Sequence, residues 1–324
     1  MQEISIGKMR GLQRCTNERG VFACLALDHR QNLRRALNPD DPSQVSDQAL
    51  SEFKLLTGNA LGAQATALLY DPEFSAAQAV AGGAIPRGAG LVVALESTGY
   101  TGDPNARQAQ ILPGWGPAKV KRMGADAAKL LVYYHPDSST AAEIEAFVRR
   151  TAEECARLDL ALMLEPLSYP LDPEQKSLAS EEKRYVVVET ARRLTVPGVD
   201  ILKAEFPLDI ATEPDEAAWE RACSQVSQAS NAPWILLSAA EGFEVYLRQV
   251  EIACRAGASG IAVGRAVWKE AVGLPPASRP DFLKTVAYER FQRLSALAAA
   301  LARPWTDFYS SAAIDAGWYR DYAA

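Results

Sequence analysis

VFACLALDHR, residues 21–30, is an unbroken apolar run that ends in three polar residues. Consecutive rather than alternating apolar residues are typical of a parallel strand that is covered on both faces. In a doubly wound sheet that binds a nucleotide, the first strand normally leads into a glycine-rich phosphate turn. Here the strand leads into Asp28, His29 and Arg30 instead. This stretch therefore favours a barrel over an open doubly wound sheet.

Seven further apolar runs of the same kind follow along the chain. The eight predicted strands are Val21–Asp28, Ala65–Tyr70, Leu91–Glu96, Ala127–Tyr134, Leu160–Leu167, Asp200–Phe206, Pro233–Ser238 and Gly260–Arg265. Longer segments between them predict helices at Ser46–Leu61, Ser139–Asp159, Ser180–Leu194, Glu213–Ser230 and Gly242–Ala256. Ser46 is a candidate N-cap, and Thr140 and Glu143 have the spacing of a capping box. Strands alternating with helices eight times predict the α/β class and a (β/α)8 TIM barrel.

The residues after the eighth strand predict a C-terminal extension, so that residues 1–272 form the barrel domain and residues 273–324 follow it. Phe282–Leu301 is expected to form one more helix. Pro304–Ala324 is rich in aromatic residues, namely Trp305, Phe308, Tyr309, Trp318, Tyr319 and Tyr322. Solvated tails do not normally hold so many aromatic side chains. We expect this helical, aromatic-rich extension to pack on the barrel or on another subunit of a homo-oligomer.

Composition and charge exclude several classes of protein. The 324 residues include 34 Lys and Arg and 40 Asp and Glu, so the formal charge is −6, which argues against a nucleic-acid binder. No apolar run approaches the roughly 18–20 residues of a membrane span. The first residues lack the apolar segment of a signal peptide, and the five scattered cysteines suggest neither disulfides nor a zinc site. A cytoplasmic location is the simplest interpretation.

Polar residues stand at or near the C-terminal ends of the predicted strands, where barrel enzymes build their active sites. They are Asp28, Glu96, Lys129, Glu165, Lys203, Glu205, Ser238 and Arg265. Such a distribution predicts a functional site that several strands share.

Lys203 is the most informative of these residues because it lies within an apolar strand, ILKAEF at residues 201–206. Burying a charged, unpaired lysine there would be costly. The strand period of two places Lys203 and Glu205 on the same face. If that face is the barrel interior, both side chains look into the site. The alternative is a structural Lys–Glu pair at the strand end, or a lysine that reaches solvent.

Lys129, in AAKLL at residues 127–131, is a second lysine of this kind. Two neighbouring lysines in a partly dry barrel would each favour the neutral form of the other. A neutral lysine attacks a ketone or an aldehyde and forms a Schiff base, and Glu165 could then transfer protons. The alternatives are an ion pair of Lys129 with Asp126 or another carboxylate, and a strand-end Glu165 bound to a nearby loop.

The ends of the last two strands suggest a phosphate site. Barrels often bind phosphate in the loops after strands seven and eight. Arg265 would hold a phosphate by paired hydrogen bonds, Gly264 would let backbone N–H groups approach, and Ser238 follows strand seven.

Residues just after the first and fourth strands have both functional and structural interpretations. Asp28, His29 and Arg30 could orient the polar end of a substrate, with His29 titrating near neutrality. Alternatively, Arg30 pairs with an acid and His29 packs at a loop. His135 is expected to be a loop residue, and Trp115 and Trp268 are expected to serve packing.

The sequence resembles the class I, Schiff-base aldolases of the tagatose 1,6-bisphosphate aldolase family, which includes the related sulfofructose-phosphate aldolases. The resemblance extends from about Gly20 to Val272. The matching segments are LALDHR (25–30), AKLL (128–131), EP (165–166), LKAEFP (202–207), LS (237–238) and GRAVW (264–268). Their order on successive strands makes the set fairly specific.

The resemblance implies roles for the site residues. Lys203 would form the imine with a ketose phosphate, Glu165 would be the acid/base, and Lys129 would support the imine or the adjacent hydroxyl. Asp28 and His29 would contact the substrate, while Ser238 and Arg265 would hold the phosphate of the dihydroxyacetone-phosphate half. Neither a metal nor another cofactor is implied. The family often has Gln where this chain has His29.

Three alternatives remain open at this stage. A sulfofructose phosphate would give sulfolactaldehyde instead of glyceraldehyde 3-phosphate, and the C4 configuration of the sugar is equally open. A metal-dependent lyase would use Asp28, Glu96, Glu165 and Glu205 to hold Mg²⁺ or Mn²⁺ at one barrel mouth. A non-catalytic sensor of sugar phosphates would keep the pocket without the reaction, since a fold alone does not establish a function.

Overall fold

Eight parallel strands close into a barrel in the computed structural model, which describes residues 1–239, 241–311, 313–320 and 322. The barrel strands are Phe22–Ala26, Ala67–Tyr70, Gly90–Ala94, Ala127–Tyr133, Ala161–Leu167, Ile201–Ala204, Trp234–Leu237 and Gly260–Val263. Each strand pairs with its neighbours in chain order, and the eighth strand pairs with the first. The predicted (β/α)8 barrel is confirmed, and each predicted run overlaps one strand, with the third strand beginning one residue before its run, at Gly90.

Alternate residues of each strand face the barrel axis, where they form a separate apolar core. Ala127 of the fourth strand, Met163 of the fifth and Ile201 of the sixth belong to this inner core. Side chains alternate between the two faces of a strand, so the residues two positions further on also face the axis. They are Lys129, Glu165 and Lys203, near the carboxyl ends of the strands.

Helices surround the strands and cover their outward faces. Between the first and last strands they are Gln31–Leu37, Asp47–Leu61, Ala76–Ala81, Pro117–Arg122, Ala141–Arg157, Ser180–Leu194, Glu216–Ala229 and Phe243–Arg255, and Arg265–Gly273 follows the eighth strand. All five predicted helices are present. Ser46 is the N-cap predicted, because its hydroxyl accepts a hydrogen bond from the Ala49 N–H (3.1 Å).

The predicted capping box of Thr140 and Glu143 is wrong. Thr140 Oγ1 donates to the carbonyl oxygen of Arg107 (3.3 Å), and the Glu143 carboxylate accepts from Gln108 Nε2 (2.9 Å). Arg107 and Gln108 belong to a short hairpin, Thr101–Asp103 with Ala106–Gln108, in the loop after the third strand. Both side chains therefore fasten this hairpin to the helix instead of capping it.

The helix predicted at Phe282–Leu301 begins three residues earlier. It runs as Arg279–Phe282, a π-helical turn at Leu283–Ala287, and Tyr288–Leu301. The last part lies over the first and eighth strands, between the helices Asp47–Leu61 and Phe243–Arg255. It thus covers the place where the barrel closes.

The segment that follows closes the amino-terminal end of the barrel. Trp305 and Tyr309 are buried, and the strand Tyr309–Ser311 pairs in parallel with Gln2–Ile4. The Tyr309 hydroxyl donates to the carbonyl oxygen of Asp200 (3.1 Å), at the start of the sixth strand. This end lies opposite the polar residues at the carboxyl ends of the strands.

The last aromatic residues of the chain, Trp318, Tyr319 and Tyr322, are exposed. The extension predicted for residues 273–324 includes Ala312, Asp321, Ala323 and Ala324, which lie outside the described residues, as does Ala240. The division into a barrel and an extension stays a prediction. In the described part of the chain, no helix combines the length and the apolar character needed to cross a membrane.

Candidate active site

Two adjoining cavities, of about 140 and 230 Å³, open at the carboxyl ends of the strands. They share a wall made by His29, Glu165, Leu167, Lys203 and Arg265. The eight predicted site residues, Asp28, His29, Lys129, Glu165, Lys203, Ser238, Gly264 and Arg265, all line one cavity or both. The structure therefore gathers the whole predicted set in one place.

Lys129 is buried, with 1% of its surface exposed, and three carboxylates surround its ammonium group. Its Nζ lies 2.8 Å from Asp28 Oδ2, 2.6 Å from Glu96 Oε1 and 2.9 Å from Glu165 Oε2. Burial favours the neutral amine, but Asp28, Glu165 and Glu96 together outweigh it and raise the pKa of Lys129 well above its usual value. The expected neutralisation by a neighbouring lysine is wrong for Lys129.

The alternative that Lys129 forms an ion pair is correct. Its partners are other carboxylates and do not include Asp126. Asp126 lies before the fourth strand, and its Oδ2 accepts from the Leu91 N–H (2.8 Å).

Asp28 forms an ion pair with the ammonium group of Lys129. Burial works against ionisation of Asp28, yet Lys129 and Lys203 lower its pKa far below the ordinary value. The two ammonium groups therefore favour the ionised form of Asp28.

Glu165 lies between the two lysines on the fifth strand. Its Oε2 is 2.8 Å from Lys203 Nζ and 2.9 Å from Lys129 Nζ, so one buried oxygen forms ion pairs with both ammonium groups. Burial raises the pKa of Glu165, and the two ammonium groups outweigh it, so the net pKa is lowered. Glu165 is thus an ionised base whose partners are lysines of the fourth and sixth strands, so the alternative of a Glu165 bound to a nearby loop is wrong.

Lys203 is 4% exposed and contacts Glu165 rather than Glu205 or solvent. Glu205 Oε2 accepts from the Ser168 N–H (2.6 Å), and burial raises the pKa of this carboxyl group. The four acids proposed for a metal-dependent lyase are therefore not assembled as one set. Asp28, Glu96 and Glu165 surround the ammonium of Lys129, and Glu205 is engaged elsewhere.

The second cavity contains a site suited to an anion. The Gly264 N–H donates to Ser238 Oγ (3.3 Å), which joins the ends of the seventh and eighth strands. A Cβ on Gly264 would lie 3.0 Å from the Ala26 carbonyl oxygen and 3.1 Å from His29 Cε1, so glycine fits best here. Arg265 begins the next helix and has no ion-pair partner within 4 Å among the described residues. A hydroxyl, a helix start and an uncommitted guanidinium suit a phosphate.

His29 packs edge-on against Trp268, with 5.2 Å between the ring centroids. Burial lowers the pKa of His29 to about 4, while Asp28 opposes that shift and Arg265 reinforces it. The expected titration near neutrality is therefore wrong, and His29 is neutral at pH 7. Its Nδ1 is buried without a hydrogen-bond partner among the described residues, so it is available to a bound molecule.

The remaining residues singled out from the sequence have structural roles. Arg30 donates to Glu73 Oε2 (2.6 Å) and to the carbonyl oxygen of Glu96 (2.6 Å), as its structural interpretation predicts. His135 is buried beyond the fourth strand, where burial lowers its pKa. Trp115 Nε1 donates to the carbonyl oxygen of Ala94 (3.0 Å).

Replacing His29 with glutamine is expected to flatten the dependence of stability on pH between about 6.5 and 4. The folded pKa of about 4 lies below the usual 6.5, so the unfolded chain binds more protons in that window. Stability therefore falls as the pH is lowered, by about 2–3 kcal/mol for this residue between pH 7 and pH 4.5. Urea unfolding at pH 4.5 and pH 7 measures the change. If stability depends on pH as strongly in the variant as in the wild-type protein, burial does not lower the pKa of His29. A smaller dependence that comes from His135 remains in both proteins.

Sequence reasoning missed several residues that line the first cavity, including Leu131, Tyr133, Leu167 and the loop at residues 97–99. Leu131 and Tyr133 follow Lys129 at intervals of two, so the strand period carried a signal for them. The loop after the third strand carried none, because its hairpin is defined by contacts with a distant helix.

Comparisons with known proteins agree with this geometry. A Schiff-base-forming fructose-1,6-bisphosphate aldolase of known structure has a TM-score of 0.58 and 20% identity, over 90% of this chain and 99% of its own. A fructose-bisphosphate aldolase from Plasmodium falciparum has a TM-score of 0.70 and 12% identity, over 93% of this chain and 98% of its own. At these identities the two structures establish the fold.

Similarity in sequence goes further. A tagatose 1,6-diphosphate aldolase of Enterococcus faecalis is 32% identical over 94% of this chain and 97% of its own length. One from Lactococcus lactis is 29% identical over 93% of this chain and 98% of its own. The model of the DeoC/LacD family aldolases matches residues 22–270. With this match over most of its length, the chain belongs to the DeoC/LacD family of aldolases.

Proposed function

We propose that this aldolase is a class I enzyme that cleaves a ketohexose 1,6-bisphosphate to dihydroxyacetone phosphate and glyceraldehyde 3-phosphate. Tagatose 1,6-bisphosphate is the first candidate because the sequence relatives are named for it. The observation that carries the proposal is the buried amine of Lys203. It lies 2.8 Å from an ionised Glu165, where two cavities meet.

Substrate binding begins with the two ends of the sugar. The C1 phosphate would occupy the second cavity, where Arg265, Ser238 and the N–H groups near Gly264 supply positive charge and donors. This placement puts the C2 carbonyl beside Lys203 and extends the rest of the chain into the first cavity. One elongated substrate molecule would then fill both cavities.

Imine formation follows from the contact between Lys203 and Glu165. Lys203 Nζ gives a proton to Glu165, and the free amine attacks the C2 carbonyl to form a carbon–nitrogen bond. The attacking nitrogen passes one proton to the former carbonyl oxygen and Glu165 returns the proton that it took, so the oxygen leaves as water, a protonated imine remains and Glu165 is a carboxylate again. Its positive charge supplies the electron sink that cleavage needs.

Cleavage requires a base at the C4 hydroxyl, and the Glu165 carboxylate beside Lys203 is the group that serves as this base. As Glu165 takes the hydroxyl proton, the C3–C4 bond breaks and its electrons move toward the imine nitrogen. An aldehyde leaves, and an enamine of dihydroxyacetone phosphate remains on Lys203. Protonation at C3 and hydrolysis by water release the ketone and regenerate the amine. Lys129, held as a cation by Asp28 and Glu96, stabilises negative charge that develops on the sugar oxygens.

Borohydride trapping tests the proposal. Incubation with dihydroxyacetone phosphate and borohydride is expected to reduce the imine and leave a stable adduct. Peptide mass mapping should find that adduct at Lys203 and leave the peptide that contains Lys129 unmodified. Protein treated with borohydride alone is the control. An adduct at a different lysine, or none while cleavage proceeds, would refute the assignment of Lys203.

A further inference from the structure

The fifth strand is held unequally by its two neighbours in the barrel. It pairs with the fourth strand along its whole length, residues 161–167. Within the described part of the chain, it pairs with the sixth strand only at residues 163 and 164. Pro166 has no N–H with which to extend that ladder. Backbone pairing therefore places Glu165 relative to the fourth strand, but it stops short of the contact with Lys203 on the sixth.

A side chain joins the two strands where their backbone pairing has ended. Glu205 lies two residues after Lys203, and its Oε2 accepts from the N–H of Ser168, three residues after Glu165 (2.6 Å). Between the ladder and this hydrogen bond lies the contact of Lys203 Nζ with Glu165 Oε2 (2.8 Å). The two reacting groups are therefore held from both sides, by the ladder before them and by Glu205 after them.

This hydrogen bond does not depend on the charge of Glu205. The side chain is half-buried, and burial raises the pKa of its carboxyl group. Lys183, on the helix Ser180–Leu194, opposes that shift, and Glu165 adds to it. A carboxylate and a neutral carboxyl group both offer an oxygen that can accept from an N–H. The reach of the side chain, rather than its charge, therefore joins the strands.

The separation of Glu165 and Lys203 matters because the proposed mechanism uses their contact twice. Glu165 takes a proton from Lys203 before the imine forms, and it then takes the proton of the C4 hydroxyl. A misplacement of about 1 Å in such a pair can cost a factor of about 100 in rate. A residue that fixes this separation would thus control the rate without contacting the substrate.

We propose that Glu205 is a positioning residue for the two reacting groups. By accepting from the Ser168 N–H, its side chain sets the distance between Glu165 and Lys203 and keeps them within reach for proton transfer. It acts through the backbone of the fifth strand. The proposal rests on the proposed function, because that function assigns the imine to Lys203 and the base to Glu165.

Two substitutions separate the reach of Glu205 from its charge. Glu205→Gln keeps an accepting oxygen at the same reach, so kcat for tagatose 1,6-bisphosphate should stay within about threefold of the wild-type value. Glu205→Asp keeps the carboxyl group but is one methylene shorter. It should lower kcat about 10- to 100-fold and change KM less than about threefold. If the charge of Glu205 mattered instead, the Gln variant would be the more damaged of the two.

The pH–kcat profile gives a readout that loss of stability alone would not move. The two neighbouring ammonium groups lower the pKa of Glu165 against the effect of burial. In Glu205→Asp the contact with Lys203 loosens, so the pKa of Glu165 rises and the acidic limb should move to higher pH. In Glu205→Gln the contact is kept and a neighbouring acid is removed, so the limb should not move upward. Asp28 and Arg265, which also act on Glu165, are unchanged in both variants.

A control variant removes a hydrogen-bonding side chain far from the site. Ser227 Oγ accepts from Trp234 Nε1 (2.8 Å) and donates to the carbonyl oxygen of Ala256 (2.6 Å), at the amino-terminal end of the seventh strand. Ser227→Ala should lower the melting temperature and leave both kcat and the acidic limb unchanged.

The possible outcomes distinguish this proposal from the proposed function. Equal losses of kcat in Glu205→Gln and Glu205→Asp, a change in KM alone, or an acidic limb that stays in place in the Asp variant would overturn the positioning role. The same would follow if Ser227→Ala reproduced the effects of Glu205→Asp. Wild-type protein that neither cleaves the bisphosphate nor traps dihydroxyacetone phosphate would instead overturn the proposed function.

Discussion

Replacing Lys203 with methionine is expected to lower kcat for cleavage of a ketose bisphosphate by about 10⁴- to 10⁶-fold. Methionine has nearly the length of the lysine stem but no amine, so no imine forms and the electrons of the C3–C4 bond have no acceptor. Borohydride should then trap no dihydroxyacetone phosphate. The measurement is a coupled assay for product, run beside the trapping reaction.

The fold should survive this change, which makes the result interpretable. Glu165 retains Lys129 at 2.9 Å as a counter-ion, and Lys129 retains Asp28. We therefore expect the variant to bind dihydroxyacetone phosphate in calorimetry, through Arg265 and Ser238, without forming an adduct. Binding without trapping separates loss of the nucleophile from loss of the site.

Lys54 provides a matched control because it is another buried lysine with an aspartate partner, Asp71. Lys54→Met should be less stable than the wild-type protein, yet it should still trap substrate at Lys203. If Lys203→Met keeps more than about one hundredth of the wild-type kcat, then Lys203 is not the nucleophile.

The barrel and much of its site could be predicted because they depend on local pattern. Eight apolar runs set the strands, and the period of two aims Lys129, Glu165 and Lys203 at one axis. Once strands are parallel and closed, their carboxyl ends must meet. The gathering of polar residues at that end thus follows from the sequence without knowledge of any distance.

Charge states and loop contacts could not be predicted in the same way. The protonation of Lys129 depends on Asp28, Glu165 and Glu96, whose distances from its ammonium group are not contained in any local sequence pattern. The low pKa of His29 depends on how deeply Trp268 and its neighbours bury the ring. Arg107 lies against Tyr133, which lines the first cavity, and Thr140 fastens the hairpin of Arg107 to a helix. Each of these facts requires side chains that are distant in sequence.

Replacing Lys129 with methionine is expected to lower kcat at least about 10³-fold and to destabilise the fold by about 3–5 kcal/mol. The ammonium of Lys129 is the common partner of Asp28, Glu96 and Glu165, so its removal leaves three buried carboxylates facing one another. Urea unfolding measures the loss of stability, and the product assay measures the loss of activity.

A second substitution separates the two effects. Glu96→Gln removes one of the three negative charges, and the new side chain can still accept from the Leu131 N–H, which Glu96 Oε2 does now (3.0 Å). In the Lys129→Met background it should restore part of the stability, since less like charge remains. Activity should not return, because the cation that stabilises the sugar oxygens is still missing. Recovery of activity together with stability would show that Lys129 serves the fold alone.

The pH profile of the Lys129→Met variant gives a third, independent readout. Lys129 is the first of the two ammonium groups that lower the pKa of Glu165 against the effect of burial. Without it the pKa of Glu165 rises, so the base form is lost at a higher pH. The acidic limb of the pH–kcat profile should therefore move to higher pH, while Lys203 still traps dihydroxyacetone phosphate. A limb that does not move would mean that Glu165 is not the base whose ionisation limits cleavage, even if both lysines are required.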